Sequence, residues 1–452
     1  VNVVDLARLQ FAVTATLHFL FVAVTLGLVT VVALMQTRAA RTGDPGLRAE
    51  RMRRVRFWGG LYVVNYALGI VSGLVQEFQF GLNWSGLSHV LGNVIGAPLA
   101  IETIVAFFLE STFLGLWAFG FKRIRPRLHL ALIWGVTLTA YASTFWIMVV
   151  NGFMQEPVGH AERGGVARVT DWGAILTNGA TWYAVLHIAG AVALLAGLIL
   201  AAVSAHHLRR DRDIAFFRPT LRQGSVLAGL GAVAVVSAGF VSLDALKGTQ
   251  PQKYAVLMGG EDLEGARAAA RAAYGPGDWM PPAWVGHASL AMLLIGLVMT
   301  VLAWLPLLAL RGGTGPAAPL TRKRVLRLPA VLLFLGFAAL VCGWLSREVG
   351  RQPWMVTGEL TVRDAIGDVS AAGMAFSFAA FTLVLGLLAL VDWTLMVRYA
   401  RLGPDAGLLG DTDLFPDGPD GPDGSGGPEG PGDDRPADGG SRNPAAGVPV
   451  SY

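Results

Sequence analysis

The chain has 452 residues, 54% of them hydrophobic and only 15% charged, with a mean hydropathy of +0.53. That composition excludes an ordinary water-soluble enzyme and makes lipid the expected solvent. The formal net charge of +4 carries no sign of a nucleic-acid partner, and the single cysteine, Cys342, excludes an internal disulfide, a C-x-x-C clamp and covalently attached haem. A bilayer core needs roughly 20 apolar residues of helix, and nine such runs follow in order: 11–35, 58–78, 97–119, 128–150, 183–205, 226–246, 284–310, 328–347 and 371–397. The expected fold is an all-α integral membrane bundle of about nine transmembrane helices. The first run is too long for a signal-peptide core and has no basic leader, so it is expected to remain in the protein.

Basic residues orient the bundle, because cytoplasmic loops retain Lys and Arg. Arg38, Arg41, Arg48, Arg51, Arg53, Arg54 and Arg56 lie between runs one and two, and Lys122, Arg123, Arg125 and Arg127 between three and four. Arg209, Arg210, Arg212, Arg218 and Arg222 lie between five and six, and Arg311, Arg322, Lys323, Arg324 and Arg327 between seven and eight. By contrast, 81–96 has no Lys or Arg and 152–182 has only Arg163 and Arg168, which places the N-terminus outside and the C-terminus in the cytoplasm. Residues 1–402 form the expected membrane domain, with an outer loop at about 247–282. Residues 403–452 are Gly-, Pro- and Asp-rich and read as a disordered cytoplasmic tail.

Ionisable side chains at membrane depth are functional candidates, since each costs roughly 2.5–3.5 kcal/mol to insert. At about 1.5 Å of rise per residue, His18 lies on the order of 10 Å below the outer surface. His187, His287, Met292, Glu102 and Glu348 reach the same outer layer from other helices. Imidazole, thioether and carboxylate can all ligate haem iron, although a lone helical imidazole is more often hydrogen-bonded to a neighbour. Glu110 lies near mid-membrane, eight residues after Glu102 and about 80° beyond two full turns from it. Two carboxylates at successive depths suit a proton path. His89, His129, His160, His206 and His207 lie at helix ends or in loops and carry no assignment.

Strings along the whole chain then resemble the large subunit of cytochrome bd-type quinol oxidases. They are A-R-L-Q-F-A, T-L-H-F-L-F-V and T-L-G within 7–27, E-F-Q-F-G-L-N-W at 77–84, G-A-P-L-A-I-E at 96–102 and A-F-F-L-E-S-T-F at 106–113. N-G-F-M-Q-E-P at 151–157, Q-P-Q-K at 250–253, G-R-Q-P-W at 350–354 and A-R-L-G-P at 400–404 complete the series. The resemblance implies a low-spin haem b, a high-spin haem b and a haem d, with quinol as electron donor, oxygen reduced to water and protons drawn from the cytoplasm. His18 and Glu348 match the axial ligands of the two high-spin haems, in an order left open, and His187 matches one low-spin ligand. Glu102 and Glu110 match carboxylates that deliver protons, while Arg351 and Trp344 match residues around propionates and macrocycles. The resemblance also implies a second membrane subunit (subunit II), small accessory chains and a bacterial plasma-membrane location.

Two positions depart from the family. Its span-seven Arg-Ile-Met is replaced by His287, Ala288 and Ser289. The second low-spin ligand is then His287, the first expectation, or Met292, unless that iron is high-spin or the site is empty. Lys253 matches the quinol-site lysine, but the acid expected five residues later is Met258, with Glu261 nearby. The rival functions are a haem-binding paralogue limited to electron transfer or assembly, and a haem-free proton-coupled transporter using Glu102 and Glu110.

Overall fold

A computed structural model describes residues 2–260, 262–313, 315, 318–405 and 407–409, without the side chains of 106 and 107. Glu261 and the tail from 410 onward therefore lie outside the described residues. Nine helices among the described residues are long and apolar enough to cross a bilayer. They are span one (Val3–Ala40), two (Pro45–Asn83), three (Ser85–Phe119), four (Pro126–Gln155), five (Gly179–Leu208), six (Ile214–Thr249), seven (Trp284–Leu302), eight (Leu328–Glu348) and nine (Ala371–Leu402).

Most helices outrun their apolar segments. Span one's 38 residues extend about 57 Å, almost twice the hydrocarbon thickness. The cause at span two is local: the Asp44 carboxylate accepts the Leu47 N–H at 2.6 Å, and Pro45 occupies the first turn. Arg48 to Arg56 consequently ride on helix rather than in a connecting loop, as do Arg218 and Arg222 on span six. Arg218 is buried, and its guanidinium donates to the carbonyls of Leu310 and Ala318 at 2.8 and 2.9 Å.

Where spans five and six cross, backbones touch. A Cβ added to Gly197 would stand 2.3 Å from the Ala228 nitrogen, and one on Gly231 equally close to that of Leu194, so glycine is required at both crossings. Buried polar nodes tie other helices. Gln36 Nε2 donates to His129 Nδ1 at 2.9 Å, His129 Nε2 donates to the Trp117 carbonyl, and Trp117 Nε1 returns to Gln36 Oε1 at 2.8 Å. Every polar atom of that imidazole is used, which makes His129 structural. The bundle's exterior is apolar, as lipid demands: Phe376, Phe334 and Leu383 are each more than 70% exposed.

The far ends, opposite the Arg-rich face, carry two small hairpins that the helical reading did not anticipate. His160–Arg163 pairs with Val166–Val169 around Gly164 and Gly165, both at positive φ, and Trp354–Val356 pairs with Leu360–Thr361. His160 Nε2 and Glu359 Oε1, at 2.9 Å, link the two hairpins. Strands this short leave too little alternation to register against the apolar runs around them.

Candidate functional site

A cavity of about 410 Å³ opens between spans one to four and eight, with a mostly apolar lining into which several polar side chains reach. His18, Glu102, Glu110 and Trp344 share it, so four of the expected site residues converge from three helices. The His18 ring is oriented by span two. Ser72 spends its hydroxyl proton on the Gly69 carbonyl at 2.6 Å, so its oxygen can only accept from His18 Nδ1–H, 2.9 Å away. That fixes the tautomer and leaves the Nε2 lone pair free. Gly73 makes room for the ring, since a Cβ there would approach His18 Cε1 to 3.3 Å.

The acids sit on a distorted helix. Span three passes through a wide segment, Ile104–Glu110, between its two α-helical parts. Such π-type turns break the regular angular spacing and recur at functional sites. The uniform-helix offset between Glu102 and Glu110 therefore does not hold, yet both carboxylates line the cavity. Glu102 Oε1 accepts from Ser143 at 2.7 Å, and Glu110 is 4% exposed. Glu77, unassigned by sequence reasoning because it falls at a span end, joins the lining and accepts from Thr103 at 2.8 Å.

Beside the cavity a charge cluster closes the far end of span eight. Glu348, 1% exposed, accepts from Asn151 Nδ2 and from Arg351 Nη2, each at 2.8 Å. Arg347 Nε donates to Asn151 Oδ1 at 2.6 Å, and Lys253 Nζ donates to Gln155 Oε1 and to the Arg347 carbonyl at 3.1 and 3.0 Å. Burial, then the neighbouring Arg347, pushes the Lys253 amine down to about 7, against the opposing pull of Glu348. Two arginines and this lysine thus face one carboxylate. Arg351 Nε and Nη1 and Trp344 Nε1 are buried without hydrogen-bond partners. Buried N–H groups in that state call for an acceptor, and an anionic one would also balance the cluster.

His187 stands apart on span five with Nδ1 buried and unpartnered, close enough to Gly239 that a Cβ there would lie 3.2 Å from its Cε1. On span seven His287 is exposed, whereas Met292 turns inward and brings its sulfur within 2.8 Å of the Cβ position of Gly343, next to Trp344. Among the described residues no three His, Cys, Asp or Glu side chains gather as a bare-ion site. A porphyrin supplies most of its iron's ligands and asks the protein for one or two. A free imidazole lone pair, a flat Phe19–Trp344 stack with centroids 4.7 Å apart, and orphaned arginine N–H groups suited to propionates fit such a group.

The family model for cytochrome bd terminal oxidase subunit I matches residues 6–275 and 258–404. The cytochrome bd ubiquinol oxidase subunit 1 of Bacillus subtilis is 32% identical, over 88% of this chain and 94% of that protein. The cytochrome bd-II ubiquinol oxidase subunit 1 of Escherichia coli is 29% identical, over 90% and 98%. Among solved structures, the bd oxidase from Geobacillus thermodenitrificans superposes with a TM-score of 0.77 at 25% identity, covering 89% of this chain and 99% of that one.

Proposed function

Since the chain belongs to the cytochrome bd terminal oxidase subunit I family, we propose that it is the haem-bearing catalytic subunit of a membrane quinol oxidase. It oxidises quinol and reduces oxygen to water. The observation that carries this reading is the shared cavity, where a tautomer-fixed His18 faces Glu102 and Glu110 beside Trp344. Haem bound there supplies iron that carries electrons and binds oxygen.

The chain's own residues hold and protonate the site. His18 and Glu348 serve the high-spin haem b and haem d, and Ser72 keeps the His18 Nε2 lone pair available. His187 serves the low-spin haem b, with inward-turned Met292 a better second ligand than exposed His287. Arg351 would offer its orphaned N–H groups to a propionate, and the stacked Trp344 and Phe19 would form an aromatic wall beside the macrocycle. Glu110 and Glu102 pass protons toward the oxygen site, where the Ser143 hydroxyl steadies Glu102. The Arg-rich face is cytoplasmic and supplies these protons, while quinol releases its own at the opposite face, so turnover builds a proton gradient. The chain works with a second membrane subunit, and with small accessory chains, in the bacterial plasma membrane.

The test is a reduced-minus-oxidised spectrum of the purified complex, repeated under carbon monoxide. Bands of haem b and haem d, with the carbon monoxide shift at a high-spin centre, are expected. Haem b without haem d would replace this reading with an electron-transfer paralogue, the alternative favoured by the altered residues at 287–289. A colourless protein would end both.

Quinol oxidation needs a base, and we assign that role to Lys253, whose amine lies beside Gln155 and Arg347. A value of about 7 leaves roughly one tenth of the amine neutral near pH 6 and roughly nine tenths near pH 8. Only the neutral amine takes a proton, so kcat/KM for quinol is expected to rise with pH through about 7. Lys253→Met should lower kcat/KM and flatten that rise. A variant keeping the wild-type profile would remove Lys253 from the reaction.

A further inference from the structure

Nearer the Arg-rich face than the His18 cavity lies a second cavity of about 270 Å³, between spans one, two, five, eight and nine. Among the described residues its lining is apolar apart from Asn65, Asp392 and the indole of Trp393, and Asp392 is the one ionisable side chain there. Oδ1 of Asp392 and Oδ1 of Asn65 are both buried without a hydrogen-bond partner. Asp392 stands ten residues before the end of span nine at Leu402, about 15 Å inside the Arg-rich face. An unpaired carboxylate at that depth is costly to keep and asks for a function.

Asn65 also forms the wall between the two cavities. Its Nδ2 donates to the Phe21 carbonyl at 3.0 Å and to Thr25 Oγ1 at 2.8 Å, and Thr25 lines the His18 cavity together with Tyr66 and Glu110. A polar bridge therefore joins Asp392's cavity to the deep end of the larger one, and the smaller cavity has room for several waters.

We propose that Asp392 is the proton-loading residue of the oxidase, collecting protons from the Arg-rich face and passing them across the Asn65–Thr25 wall toward Glu110. An O–H bond forms at Asp392 Oδ1 as one breaks in a hydronium ion arriving from the Arg-rich face, which departs as neutral water. That O–H bond then breaks as one forms on a water beside Asn65, which carries the proton on as hydronium toward Glu110, so the carboxylate is restored and no electrons change hands. The proposal rests on oxygen being reduced in the His18 cavity.

The experiment uses the whole oxidase complex in liposomes, reduced and ligated with carbon monoxide, then flashed in the presence of oxygen while a pH dye reports proton uptake. A wild-type complex without a carbon monoxide-binding haem would defeat the underlying functional reading rather than this residue's role. With that haem present, Asp392→Asn should keep the haem spectrum and carbon monoxide recombination but slow proton uptake about 10-fold or more, while Asp392→Glu stays close to wild type. Wild-type uptake in Asp392→Asn overturns the proposal, and so does equal slowing in Asp392→Glu. Should Asp392→Asn fail to assemble, Asn65→Leu decides. It leaves the carboxylate in place and removes the bridge, so slowed uptake with intact spectra supports the route and unchanged uptake overturns it.

Discussion

Replacing His18 by alanine is expected to abolish oxygen reduction while leaving the bundle assembled. The substitution removes one hydrogen bond, to Ser72, and Ser72 keeps its own bond to the Gly69 carbonyl. The stability lost is therefore on the order of 1 kcal/mol, small beside the stability of a domain. What disappears is the imidazole lone pair that Ser72 keeps available at the cavity. Oxygen uptake with quinol should fall at least about 100-fold, and the high-spin haem signal should vanish while the low-spin signal at His187 persists. Ser72→Ala is the graded counterpart. It leaves the imidazole but frees its tautomer and rotation, for which loss of a ligand's supporting hydrogen bond typically costs 10- to 100-fold in affinity. Haem content, the carbon monoxide difference spectrum and oxygen uptake, measured on one preparation, separate the two variants. Full oxygen uptake in His18→Ala would show that the ligand lies elsewhere.

The spans were legible because lipid imposes a length and an apolarity that few other environments demand. Their ends were not, since Asn2, Asp44 and Asn178 cap helices outside the apolar runs, and at Asn2 and Asp44 the added turns carry arginines. At the site, His18, Glu102 and Glu110 were legible as polar groups that lipid penalises, and the structure brings them together with Trp344 around one cavity. Ser72 was not, because a helical serine usually bonds back to its own backbone, and Ser72 does that as well as holding the histidine. Glu77 lay too near a span end to look costly. The wide turn at Ile104–Glu110 depends on tertiary contacts, so no angle drawn on a regular helix could anticipate it. On span seven the choice between His287 and Met292 was not legible because burial is set by tertiary packing: His287 is exposed, whereas Met292 packs against Gly343.

Glu348→Ala should do more damage than His18→Ala, because it removes the buried carboxylate around which Arg347, Arg351 and the Lys253 amine are gathered. Asn151 and Arg351 each donate to a different oxygen of this carboxylate, and Arg347 is held through Asn151. Without it the Arg351 guanidinium, 3% exposed, loses its one protein carboxylate partner among the described residues while Arg347 stays beside it. Deleting one partner of a buried ion pair costs about 3–5 kcal/mol, a large part of the roughly 5–15 kcal/mol that holds a domain together. Lower yield of assembled complex and a lowered Tm are expected, together with loss of a high-spin haem. Glu348→Gln separates the two effects. The amide still accepts from Asn151, so assembly should recover in part, but a neutral amide neither balances Arg351 nor replaces a carboxylate at iron, and oxygen uptake should stay abolished. If Glu348→Gln restored both the haem spectrum and oxygen reduction, the carboxylate would be a brace for the cluster and not a ligand.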